Sequence, residues 1–139
     1  MADINHEIKI AASPEAVYEA LTTLSALKKW HTATIEHAES IGEIYAMHPQ
    51  DGPDFEWKIV KADPQSIEWK CVKGPGDSVG TTARFELSPV RDGRTLLEFS
   101  HSGWPHTGGN FRQCNTLWGV LLFHLRKYLH THEADPVFR

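Results

Sequence analysis

The fold is decided by the stretch NFRQCNTLWGVLLFHLRKYLHTH, residues 110–132. Its apolar side chains recur at alternating steps of three and four residues: Phe111, Cys114, Trp118, Leu121, Leu125 and Tyr128. This spacing places them on one face of an α-helix, and the opposite face is mostly polar. The stretch therefore predicts one long amphipathic helix with a buried side.

Short runs of alternating apolar and polar residues fill most of the chain before this helix. Residues 4–11 form the first run, and two short candidates, 34–39 and 43–48, lie on either side of Gly42. In four further runs the residues of one parity are mostly apolar, within 55–59, 67–71, 81–87 and 95–101. Such alternation predicts strands with one buried face. Because short turns such as Asp92-Gly93 join successive runs, we expect an antiparallel sheet that the long helix covers.

Two short helices are predicted after the first strand. Ser13 is a good N-cap residue and Pro14 suits the first helical turn, and apolar residues then recur at helical spacing. Ser25 is expected to cap a second helix, residues 26–30.

The segments that flank the long helix are predicted to be irregular. Residues 103–109 are rich in Gly and Pro and favour a loop, in which Thr107, or else Asn110 just after it, would cap the helix. Residues 133–139 are expected to form a loosely held tail.

Composition limits the class of protein. The chain has 139 residues, of which 40% are hydrophobic, and this size suits one domain, residues 1–139. Its formal net charge is −4, and no cluster of Lys and Arg marks a nucleic-acid surface. No apolar run reaches membrane-spanning length, and no leader is evident, so we expect a cytoplasmic protein. Cys71 and Cys114 are expected to be reduced thiols that pack as small hydrophobic residues.

The motifs predict neither a metal site nor a cofactor. His130 and His132 are two residues apart, whereas two ligands on one helical face are three or four apart. His101 and His106 have no acidic cluster beside them. No Gly-rich phosphate loop with Lys-Ser/Thr opens a helix, so nucleotide binding is not expected.

The order of these elements, with several short motifs, resembles the START-like superfamily, also called SRPBCC or helix-grip proteins. More narrowly, the chain is similar to the branch named for the activator of the heat-shock protein 90 ATPase. The motifs are ASPEAVYEALT (12–22), Trp30, EWKIV (56–60), Asp63-Pro64, IEW (67–69), TLL (95–97), HSGW (101–104) and Trp118-Gly119. The resemblance implies an α+β helix-grip fold, in which a curved antiparallel sheet wraps around the C-terminal helix with an apolar cavity between them. Members bind lipids, hormones or polyketides, or catalyse cyclisations on them.

Strand parity predicts which side chains face the helix. On the sheet they are Phe55, Trp57, Trp69, Phe85, Leu97, Phe99 and His101, and on the helix Cys114, Trp118 and Leu121. One interpretation is an aromatic cavity for an apolar small molecule. Its candidate ligand-binding residues are then Trp57, Trp69, Phe85, Phe99, His101, Cys114 and Trp118. The alternative is that these side chains only fill the core.

His101 is the polar exception on this face. At the end of an apolar strand, it could anchor a ligand or act as a general acid or base near neutral pH. The alternative is a structural histidine, hydrogen-bonded to the start of the helix or to a loop carbonyl.

The leading hypothesis is binding of a small, largely apolar ligand, of lipid, polyketide or aromatic type, between sheet and helix. A second hypothesis is a cyclase or dehydratase that acts on a polyketide-like substrate with His101 as acid or base. A third is an interaction module that regulates a chaperone ATPase. Phe123 lies on the polar side of the long helix, which indicates a possible homodimer contact.

Overall fold

A computed structural model describes residues 2–36 and 44–139. Within them lie seven strands and three α-helices. The strands are β1 (Ala2–Ile10), β2 (Ile35–Glu36), β3 (Ile44–Met47), β4 (Phe55–Asp63), β5 (Ser66–Lys73), β6 (Thr82–Pro89) and β7 (Thr95–Trp104). The helices are α1 (Pro14–Thr22), α2 (Leu24–Trp30) and α3 (Asn110–Thr131), and two 3₁₀ turns cover Gly76–Ser78 and Arg91–Gly93.

The strands form one antiparallel sheet in the order β1-β7-β6-β5-β4-β3-β2. The predicted α+β helix-grip fold is confirmed, with a curved sheet around the C-terminal helix. Residues 37–39 and 43 of the two short predicted strands, 34–39 and 43–48, lie outside the described residues, as does Gly42 between them. Strand β7 runs to Trp104, so its end was predicted too early and the loop predicted at 103–109 starts later.

The pairing of the strands determines which residues share the inner face of the sheet. Phe85 of β6 lies opposite Ile67 of β5 and Phe99 of β7, and Ala83 lies between Trp69 and His101 in the same way. Because paired residues point to the same face, these strands present a continuous apolar surface to α3. Helix α3 meets it with buried residues at the predicted spacing: Cys114, Trp118, Leu121, Leu122, Leu125 and Leu129.

The start of α3 differs from the prediction. Its N-cap is Gly109, with φ of 56°, and no side chain caps the first turn. Asn110 instead lies inside the helix, where its side-chain oxygen accepts a hydrogen bond from the backbone N–H of Asp77 at 3.2 Å. Asn110 therefore ties the β5–β6 connection to the helix, and the caps predicted at Thr107 and Asn110 are wrong.

The two short helices predicted after the first strand are confirmed, except for one predicted cap. The Ser13 hydroxyl accepts a hydrogen bond from the N–H of Ala16 at 3.2 Å, and Pro14 opens α1. Helix α2 starts before Ser25, because the single extended residue Thr23 ends α1 and is also the N-cap of α2. The cap predicted at Ser25 is therefore wrong.

The C-terminal residues are the largest departure from the predicted fold. We call residues 135–139 the C-terminal strap. Its backbone N–H groups donate to the carbonyls at the end of α2, with Asp135 to Lys29 at 2.8 Å, Val137 to Trp30 at 3.2 Å and Phe138 to His31 at 2.9 Å. The last carbonyls of a helix have no partner within it, so the strap satisfies groups that would otherwise need water. The expectation of a loosely held tail is wrong at this point.

Among the helices in the described part of the chain, none is long and apolar enough to cross a membrane.

Candidate functional site

All seven candidate ligand-binding residues are buried between the sheet and α3. They are Trp57, Trp69, Phe85, Phe99, His101, Cys114 and Trp118. Trp118 projects from α3 into the middle of the group, with its ring centroid 4.2 Å from that of Phe99 and 5.8 Å from that of Phe85. Trp57 and His101 flank the same indole, at 6.2 and 6.0 Å. The residues that strand alternation and helical spacing assigned to the interior therefore lie together there.

His101 is fully engaged by protein groups. The indole N–H of Trp118 donates to its Nδ1 at 2.9 Å, so Nδ1 carries no proton. Nε2 then carries the proton of the neutral ring and donates to the Thr81 hydroxyl at 2.6 Å. The Thr81 hydroxyl in turn donates a hydrogen bond to the carbonyl of Ser78 at 2.6 Å. This chain links α3, β7 and the β5–β6 connection.

Burial keeps His101 neutral. Its side chain has no exposed surface, and desolvation lowers its pKa to about 3. A proton on Nδ1 would also displace the Trp118 N–H from its only acceptor there. The geometry therefore favours the structural alternative for His101 over an acid or base.

A small cavity lies beside this cluster, between the sheet, α3 and the strap. Its volume is about 30 Å³. The lining residues are His31, Phe55, Trp57, Cys114, Leu117, Trp118, Leu121 and Phe138. Three of the predicted residues line it, namely Trp57, Cys114 and Trp118. The other four, Trp69, Phe85, Phe99 and His101, do not, and they pack as core beside it. A space of this size suits a water molecule.

His31 was missed by the sequence-based prediction. It follows α2 directly and is only 4% exposed. Its Nδ1 is 2.8 Å from the Thr32 hydroxyl, whereas its Nε2 has no hydrogen-bond partner within residues 2–36 and 44–139. Desolvation lowers its pKa to about 3, so this ring is also neutral at physiological pH. No periodic pattern includes a residue just past a helix end, so only the fold reveals His31.

Phe138 of the strap forms one wall of the cavity. Its ring centroid is 6.2 Å from that of His31. On the other side it lies against Gly52, where an added Cβ would come within 3.2 Å of the Phe138 ring. The side chain is half-buried, as are Phe55 and Leu117, so these three residues form the rim of the cavity.

The remaining reactive groups do not form a second centre. Both cysteines are free and buried, and desolvation raises the pKa of Cys71 and of Cys114 to about 11. Both thiols are therefore protonated at neutral pH and poor nucleophiles. Within the ranges that the structure describes, no three His, Cys, Asp or Glu side chains are placed to hold a metal ion.

Comparison with solved structures identifies close relatives of this fold. The structure is similar to the Aha1 dimer from Colwellia psychrerythraea, with 36% sequence identity, a TM-score of 0.85, and coverage of 94% of this chain and 98% of that one. It is also similar to protein MLL2253 from Mesorhizobium loti, at 19% identity, a TM-score of 0.79, and coverage of 93% and 97%. DynU16, from the dynemicin biosynthetic locus, has 18% identity and a TM-score of 0.78 over 95% of this chain and 48% of its own. The last two show the fold alone.

Comparison by sequence gives the family. No curated protein sequence matches the chain. A family model described as activator of Hsp90 ATPase homolog 1-like protein matches residues 11–130, which include α1 through nearly all of α3. The chain therefore belongs to the family of activator of Hsp90 ATPase homolog 1-like proteins, within the START-like fold.

Proposed function

We propose that the protein binds a small, largely apolar molecule between its sheet and α3. The observation that carries the proposal is the cavity at this junction, whose walls are apolar apart from His31. The rim residues Phe55, Leu117 and Phe138 are half-buried, so the cavity lies close to the surface. Ligand sites typically combine such apolar walls with few polar groups.

Binding is better supported than catalysis. The cyclase or dehydratase hypothesis relies on His101 as acid or base, but both of its ring nitrogens have protein partners and it does not line the cavity. His31, which does line the cavity, is held neutral by burial and has no carboxylate partner among the described residues.

Native mass spectrometry of the purified protein tests the proposal. We expect an adduct that is lost when the protein is denatured, and its mass would identify the chemical class of the ligand. Leu117→Trp should abolish the adduct, because it fills the rim of the cavity. The matched control is Asn115→Trp, at an exposed position on the same helix. A bare mass for the wild type, with no binding in a screen of apolar compounds, would reject the proposal.

A homodimer is proposed on separate grounds. The relative from Colwellia psychrerythraea is described as a dimer. On the outer face of α3, Phe123 is 52% exposed and Val120 is 41% exposed. The Arg126 guanidinium lies 5.6 Å from the centre of the Phe123 ring, so a cation–π contact partly orders this face. Light scattering should show a dimer for the wild type and a monomer for Phe123→Asp. A wild-type monomer at high concentration would reject the dimer.

Regulation of a chaperone ATPase is the second candidate function. It is favoured by 36% identity to an Aha1 protein over 94% of this chain. The direct test is the ATPase rate of an Hsp90-type chaperone with and without this protein. An increase that saturates with protein concentration would support it, and an unchanged rate together with no binding would reject it.

A further inference from the structure

We infer that Phe138 closes the ligand site from within the chain, and that His31 Nε2 binds an oxygen atom of the ligand once Phe138 has moved away. The inference rests on the proposed binding function and adds to it the polar anchor, the chemical class of the ligand and the element that controls access.

The first step is the unpaired nitrogen. His31 is surrounded by aromatic rings, with centroid distances of 5.2 Å to Trp30 and 6.2 Å to each of Trp69 and Trp118. In such surroundings a polar atom without a partner is costly, and each buried exception calls for an explanation. In the described ranges no protein group reaches Nε2, and the residue lines the cavity. A ligand atom in the cavity would supply the missing partner.

The second step is the chemistry of that atom. The contact between Nδ1 and the Thr32 hydroxyl exists in two forms, because either group can be the donor. Nε2 is an acceptor in one form and a donor in the other. A hydroxyl oxygen suits both, since it can donate and accept. Among the described residues no lysine or arginine lines the cavity, so its walls offer no balancing charge to a carboxylate or phosphate. The ligand class is therefore a neutral molecule with an apolar body and one hydroxyl group.

The third step is size. The closed cavity of about 30 Å³ has room for a water molecule, whereas apolar cavities that bind benzene are about 150 Å³. The only wall that belongs to neither the sheet nor a helix packed in the core, apart from His31 itself, is Phe138. Moving its ring would enlarge the site with little disturbance of the core. Phe138 is thus placed where the apolar body of a ligand would lie.

The fourth step is that the strap is held by bonds that can open locally. Three backbone hydrogen bonds join it to the end of α2, one joins Ala33 N–H to the Phe138 carbonyl at 2.9 Å, and one joins Gln50 N–H to the Arg139 carbonyl at 2.6 Å. His124 Nδ1 also lies 2.7 Å from the Asp135 carbonyl. The side-chain anchor of the strap is Asp135, which accepts from Lys127 at 3.1 Å and from Arg139 at 3.3 Å on the exposed surface. Exposed ion pairs are weak, and short segments of this kind open without global unfolding.

The test compares p-cresol with toluene, which differ by one hydroxyl group, by isothermal titration calorimetry. Phe138→Ala should bind p-cresol about tenfold more tightly than the wild type does, and about tenfold more tightly than it binds toluene. Val137→Ala is the matched control, because Val137 lies in the strap but does not line the cavity, and it should behave as the wild type does. In the double variant Phe138→Ala, His31→Phe, the preference for p-cresol should disappear.

The roles of Phe138 and His31 are tested by different outcomes of these titrations. Equal p-cresol affinity in the wild type and Phe138→Ala would overturn the closing role of Phe138. Equal affinities for p-cresol and toluene in Phe138→Ala would overturn the anchoring role of His31, and this comparison needs no His31 variant to fold. His31→Gln in the Phe138→Ala background should retain the preference, because the amide can donate and accept. Ligand adducts in native mass spectra, with no effect of either residue, would sink this inference and leave the proposed binding function standing.

Discussion

Among the residues that the structure describes, two histidines are buried, and they differ in their hydrogen bonds. His101 and His31 both lie among aromatic rings, and burial lowers the pKa of each to about 3. The two nitrogens of His101 have Trp118 and Thr81 as partners, whereas His31 has only Thr32 within residues 2–36 and 44–139. Burial and a shifted pKa are therefore poor guides to function here. The better guide is an unsatisfied group on a residue that lines a cavity. The ring nitrogens His6 Nε2, Trp69 Nε1 and Trp104 Nε1 are also buried without a partner in the described ranges, but their residues do not line the cavity.

Replacing each histidine by leucine gives the largest expected difference. His101→Leu leaves the buried Trp118 N–H without its acceptor and Thr81 without its histidine donor. We expect it to lower the free energy of unfolding by about 3 kcal/mol. His31→Leu removes one nitrogen that already lacks a partner and one hydrogen bond, to Thr32, and should cost about 1 kcal/mol. Urea denaturation followed by tryptophan fluorescence measures both, and equal losses would remove the distinction between the two sites.

The pH dependence of stability should sharpen the comparison. Each histidine has a folded-state pKa near 3, below the usual 6.5. Between pH 3 and 6.5 the unfolded chain therefore binds more protons than the folded protein does. The resulting stability is complete above pH 6.5 and is lost as the pH falls toward 3. Each buried histidine should make the free energy of unfolding about 2 kcal/mol lower at pH 5 than at pH 7.

His31→Phe isolates one of these contributions. It removes one titrating ring and keeps an aromatic side chain, so its loss of stability between pH 7 and 5 should be smaller than that of the wild type by about 2 kcal/mol. The urea midpoints of both proteins at the two pH values give the answer. An identical pH dependence would mean that His31 has the same pKa in the folded and the unfolded chain, as an exposed histidine does.

The smallest effect is expected at the exposed anchor of the strap. Asp135→Asn removes the charge that holds Lys127 and Arg139, which together lower the pKa of Asp135. Hydrogen exchange at the Phe138 amide should become faster, and the difference from the wild type should shrink at high salt. Unchanged exchange would show that the backbone hydrogen bonds alone keep the strap closed.

The sequence was most informative where the structure is periodic. The buried stripe of α3 and the alternation in β4–β7 depend on local geometry, so their residues could be assigned to faces without knowing the fold. Strand alternation placed Trp57 in the interior, and helical spacing placed Trp118 there. Which of the interior residues line the cavity depends on side-chain packing and on the strap, and neither leaves a pattern in the sequence.

The missed features depend on long-range partners. The strap is a short terminal segment that contains a proline and has no periodic pattern, as is typical of a loose tail. Its N–H groups nevertheless pair with carbonyls at the end of α2, which are distant in the chain. Asn110 is a good capping residue, but the β5–β6 connection supplies it with another partner. His31 gains its significance only from the rings and the strap packed around it.

Gly52 lies behind the strap, where an added Cβ would press on the Phe138 ring at 3.2 Å. Its backbone conformation is not among those that only glycine tolerates. An alanine there would act as a wedge, so the ring must shift by a few tenths of an ångström. This loop position therefore offers a way to adjust how readily the site opens with one methyl group, without altering any residue that lines it. In related chains with a larger side chain at this position, we expect looser closure by the ring and faster exchange of the bound molecule.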